Sequence, residues 1–94
     1  MRVIKIYKYA GVFAENKDVA REIRITLLAP LIKQKKDVIL DFKKVEATTQ
    51  SFIHALLSEV MRDFGADVLD KIAFRNCNNT IKGIINIVVD YMQA

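Results

Sequence analysis

Hydrophobic and polar positions run along this chain with two periods, and the switches between them mark out its elements. Val3 to Tyr9 is rich in β-branched and aromatic residues with Lys5 and Lys8 interposed, which predicts a strand closed by Gly11. From Ala20 the apolar residues recur at three- and four-residue steps: Ala20, Ile23, Leu27 and Leu31, with Leu28 and Ile32 beside them. That spacing predicts a helix with Arg21, Glu22 and Arg24 on its wet side. Asn16 or Asp18 can cap it through a short side-chain oxygen. Pro30 lacks the amide that would bond residue 26 and crowds that carbonyl, so the helix should kink or restart near Ala29.

Val38 to Phe42 reads as a second strand, followed by a short polar loop from Glu46 to Gln50. A second helix is then expected from about Gln50 to Phe64. Its buried stripe is Phe52, Ile53, Leu56, Leu57, Val60, Met61 and Phe64, and Gly65 supplies a left-handed stop. Ile72 to Phe74 predicts a short third strand, and Asn76 to Thr80 a loop able to cap the next element. The last run, Ile81 to Met92, is β-branched enough for a strand. Ile81, Ile84, Ile85, Val88, Val89 and Met92 nevertheless keep the 3.6-residue period, so we read it as a helix.

The order β-α-β-α-β-α predicts a small α/β domain with a largely parallel open sheet and right-handed crossovers. Charges on alternate strand positions (Lys5, Asp41, Arg75) place the helices mainly on one face and polar groups on the other.

Composition changes this picture little. Ninety-four residues, 52% apolar with three Gly and one Pro, describe one ordered domain over 1–94. A net charge of +4 is ordinary for a soluble domain. Nucleic acid is not the expected partner: Lys33, Lys35 and Lys36 precede the second strand, Lys43 and Lys44 follow it, and no aromatic residues are interleaved. A lone cysteine, Cys77, fits a reducing cytoplasm, and no apolar run has the length of a membrane span or the form of a signal peptide.

Candidate chemistry is sparse. Ser51 and His54 lie three residues apart on one helix with no acidic residue placed to orient the ring, so we expect no enzyme. His54 and Cys77 lack a second ligand at zinc spacing, and Gly11, Gly65 and Gly83 form neither a dinucleotide fingerprint nor a phosphate loop. Neither metal nor cofactor is expected. The last helix is more informative. Gly83, Ile87 and Tyr91 make a second stripe beside its core stripe, which suggests docking onto another copy or a partner.

Taken together, Val19-Ala20-Arg21, Val38-Ile39-Leu40-Asp41-Phe42, Val45, Thr49 with Ser51-Phe52, Phe64-Gly65, Phe74-Arg75-Asn76 and the closing apolar helix resemble a STAS-type domain. The chain resembles most the small bacterial STAS-like proteins of unknown function, over roughly Asp18 to Met92. Related modules act as anti-sigma-factor antagonists, where a serine at the start of this helix is phosphorylated by a partner kinase. Alignment on Asp41 and Val45 puts Ser51 at that position. The family's Asp-Ser-Ser-Gly run stands here as Thr49-Gln50-Ser51-Phe52, without the acidic residue or the glycine.

The resemblance implies a non-enzymatic interaction module presenting Lys43, Lys44, Glu46, Thr48, Thr49, Ser51 and His54 to a protein, such as a kinase-like switch. A phosphate on Ser51 would meet the helix N-terminus with Lys43 and Lys44 on the same loop. The alternative is a small homo-oligomer, or a mobile-element inhibitor of a host complex, using the Gly83, Ile87 and Tyr91 face.

Overall fold

The computed structural model describes residues 2–93. In chain order its elements are β1 (Arg2–Lys5), α1 (Ile6–Ala10), β2 (Phe13–Ala14), α2 (Lys17–Ile23), a wide π turn (Arg24–Leu28) and α3 (Ala29–Lys33). Next come β3 (Val38–Asp41), β4 (Ala47–Thr48), α4 (Gln50–Phe64), a 3₁₀ segment (Ala66–Lys71), β5 (Ile72–Arg75) and α5 (Asn79–Gln93).

The three long strands form a parallel sheet in the order β1-β3-β5. Each crossover therefore steps one place in the same direction. With right-handed connections, that order puts every crossover helix on the same face. The core lies there: Ile4, Val38, Leu40 and Ile72 meet Ile23, Leu28, Phe52, Leu56 and Val60, while α5 packs against α4 and β4. The opposite face carries two cross-strand rows, Val3-Ile39-Ala73 and Lys5-Asp41-Arg75. Val3, Ala73, Lys5 and Arg75 are exposed, as the alternating charges imply.

The first predicted strand is shorter than expected. It ends at Lys5, and Ile6–Ala10 is a helical turn that Gly11 closes at φ 76° with its N–H on Tyr7 O. Ile4 and Ile6 are both buried. A two-residue alternation reads the same whether the chain continues as a strand or turns after one more core residue.

Asn16 caps α2, accepting from the Asp18 and Val19 amides. The helix then widens before Pro30, with the Ala29 N–H reaching Arg24 O. A π turn holds one residue more than an α turn and rotates the residues after it backward along the face. Leu28 and Ile32 are therefore fully or nearly buried, while Leu27 and Leu31 are only half-buried. The wet-side reading of Arg24 is corrected, because it lies one helical turn after buried Ala20 and so shares its core face. It is 9% exposed, donating from Nη1 to Ala55 O at 3.1 Å and pairing with Glu59 at 3.2 Å.

The loop after β3 is tied down more than its polar sequence suggests. β2 and β4 pair in parallel, Glu46 N–H donates to Val12 O, and Asn78 Nδ2 donates to Glu46 O at 2.7 Å. Asn78 also accepts from the Ile81 amide, so one side chain starts α5 and anchors the loop. No helix among the described residues is long and apolar enough to cross a membrane.

The candidate functional site

The start of α4 is built residue by residue. Thr48 is buried and its hydroxyl donates to Ala14 O at 2.7 Å, which holds β4 to β2. Thr49 caps the helix, its Oγ1 accepting from Phe52 N–H at 3.1 Å. Phe52 and Ile53 are fully buried and seat the first turn on the core. Ser51, between cap and core, is exposed, and its side chain makes no hydrogen bond among the described residues. His54 lies one turn later, also exposed, and no hydrogen bond joins it to Ser51 among the described residues.

Ser51 and His54 open onto a groove of about 430 Å³ whose other wall is α5, lined by Lys17, Gln50, Ala55, Ile87, Val88 and Tyr91. A second hollow continues it past Ser58, Met61 and Arg62, with His54 and Tyr91 bordering both. Ile87 is 51% and Tyr91 75% exposed. The structure thus brings together two features that lie more than thirty residues apart in sequence, the α4 start and the outer stripe of α5. Gly83 does not line this groove; it is exposed, and a Cβ built there meets nothing within 4 Å.

Lys43 and Lys44 lie elsewhere. They line a cleft of about 370 Å³ at the carboxyl ends of the strands, with Lys5, Tyr7, Lys8, Asp41 and Asn76. Lys44 Nζ stands 5.7 Å from the Tyr7 ring centroid. Glu46 is exposed and fixes the loop through its backbone alone. The cation that shares the Ser51 groove is Lys17, which the sequence reading did not single out. Lys5 and Lys8 also escaped it, because the expected strand ran through them to Tyr9. Once β1 ends at Lys5, parallel pairing delivers the residues after β1, β3 and β5 to one edge.

Asp41 organises that edge. Asn76 Nδ2 donates to its Oδ1 at 2.8 Å and the Lys43 amide at 2.9 Å. The Asn76 bond, the Lys43 amide and the charges of Lys5 and Lys43 hold the carboxyl below its ordinary 3.8, against a smaller opposing effect of burial. The carboxylate form is therefore favoured by folding. Its contribution is full above 3.8 and is lost as pH falls through the lowered folded value. Asn76 sits at φ 58°, where Gly replaces it without backbone strain. Asn76→Gly should move the Asp41 carboxyl titration, followed by NMR, upward toward 3.8. An unmoved titration would show that the side-chain bond does not set it. Cys77, half-buried beside this edge, has its thiol pushed up by burial, so the helix start does not activate it.

No curated protein and no solved structure matches the chain. A family model described as a STAS-like domain of unknown function (DUF4325) matches residues 19–82, from the start of the first long helix into α5. The chain belongs to that family, and the expected small α/β STAS-like architecture is the one the structure has.

Proposed function

We propose that the protein is a cytoplasmic, non-enzymatic interaction module whose partner seats in the groove between the start of α4 and the end of α5. One observation carries this reading: Ser51, His54, Ile87 and Tyr91, singled out separately as a helix start and an apolar stripe, line one exposed groove. Aromatic and aliphatic side chains beside a few polar groups suit a protein surface better than a polar substrate.

Ser51 is the regulated position in this reading. It is the second residue of α4, where Thr49 serves the Phe52 amide and the first-turn amides of Gln50 and Ser51 have no partner within the helix. A phosphate there would add about −1.5 to −2 charges at the positive end of the helix dipole. Lys17 shares the groove and is the one lysine among its lining residues, a candidate counter-charge. A kinase-like switch protein is the partner the family resemblance suggests.

The test is affinity purification from the native host with wild type, Ser51→Asp and Ile87→Glu, recording the intact mass of each bait. A partner held by wild type and lost with both variants, with a phosphate mass on some wild-type chain, supports the reading. The same partners on all three baits would overturn it. The exposure of Ile87 and Tyr91 also suits a homo-oligomer, in which case Ile87→Glu should convert a larger species to monomer in sedimentation without unfolding it.

A further inference from the structure

A second surface, separate from the α4–α5 groove, lies along the free edge of β1. Among the described residues this strand pairs only with β3. The Arg2 N–H donates to Asp37 O at 3.1 Å, so Arg2 turns its backbone groups toward β3. In a parallel strand the next residue turns its amide and carbonyl the other way. Val3 therefore presents both groups to the open edge, and Lys5 presents its amide. Beside this edge runs a trough of about 620 Å³ whose far wall is Leu27 and Leu31, the two residues that the π turn leaves half-buried. Its rim carries Arg2, Lys5 and Lys8, all exposed, with no acidic side chain in the lining and no salt bridge to any of the three among the described residues.

We infer that β1 is a docking edge for an extended peptide segment of a partner protein, one that alternates apolar residues with acidic ones. The segment adds a fourth strand to the sheet. Its backbone meets the Val3 and Lys5 groups, one apolar side chain rests against Leu27 and Leu31, and its carboxylates face Lys5 and Lys8. Lysines alone on an edge would be ordinary protection against self-pairing. Here they accompany an apolar wall that an added strand can cover, which protection does not require. A second copy of β1 is the poorer occupant, since pairing two such edges brings Arg2, Lys5 and Lys8 of both copies to one seam with no acidic side chain in the lining of either.

The experiment is a selection of random eight-residue peptides displayed on phage against the intact protein, followed by NMR titration of the enriched peptides into labelled protein. The expected result is enrichment of alternating apolar and acidic residues, with saturable shifts at the Val3 and Lys5 amides. Lys5→Glu with Lys8→Glu, its fold checked by its own spectrum, should weaken binding at least tenfold. Methylating alternate peptide amides should abolish it. Enrichment without acidic residues, shifts confined to the α4–α5 groove, or binding indifferent to amide methylation would each overturn the inference. So would protection of the Val3 and Lys5 amides by dimerisation of the free protein. Failure here leaves the Ser51 and Ile87 test untouched, because neither residue lines the trough.

Discussion

Phe52→Ala is expected to lower the stability of the protein by about 3–5 kcal/mol, the range for removing a large aromatic side chain from a filled core. Phe52 has no exposed surface and sits where the cap ends and the helix begins. It belongs to the same buried cluster as Leu40, Phe42 and Leu56. Domains of this size are commonly stable by about 5–15 kcal/mol, so the loss takes a large share of the total. Chemical denaturation should show the midpoint shift with little change in slope. Ser51→Ala, one residue away and exposed, should stay within about 0.5 kcal/mol of wild type. The pair separates what holds the helix start from what it presents. A Phe52→Ala variant as stable as wild type would mean that the first turn of α4 is not anchored as described.

Arg24→Ala is expected to cost about 2 kcal/mol, and the reason is packing and hydrogen bonding more than charge. The guanidinium crosses from the π turn to α4, where one nitrogen bonds Ala55 O and another meets Glu59. Arg24 is buried where it meets α4, so truncation to alanine empties space there. Glu59 is half-exposed, so losing Arg24 strands no buried charge, and the cost stays below that of a fully buried pair. Three variants in a denaturation series divide the effect. Arg24→Met keeps the stem and should recover part of the loss. Glu59→Ala should cost under about 1 kcal/mol, as exposed partners usually do. A double-mutant coupling above about 1 kcal/mol would show that the ion pair, rather than the stem and the Ala55 bond, dominates.

Much of the fold is readable because local and global preferences agree. Helix α4 runs from Gln50 to Phe64 as its apolar spacing and Gly65 indicate, and the β-branched α5 is helical because its period outweighs its propensity. Where the reading failed, residue type or a shared alternation misled it. Arg24 reads as wet-side by its charge, yet its place four residues after buried Ala20 puts it on the core face of the helix. Ile6 fits the strand alternation and is buried from a helical turn instead.

The site was legible in halves. Ser51 with His54, and Ile87 with Tyr91, each stand out from their own neighbours. That α4 and α5 set them facing one groove depends on packing, which no local window contains. The basic cleft needed both the parallel pairing and the true end of β1 before Lys5 and Lys8 could join Lys43 and Lys44.

The wide turn at Arg24–Leu28 also bears on how sequences of this kind are to be compared. It uncouples chain length from register, since it absorbs one residue that a plain α-helix would not hold. A relative lacking the residue at Ile25, which is 53% exposed, would close the turn into ordinary helix and still set the counterparts of Ala20, Leu28 and Ile32 against the same strands. A one-residue gap in mid-helix, ordinarily a sign of misalignment, would here mark true correspondence on both of its sides.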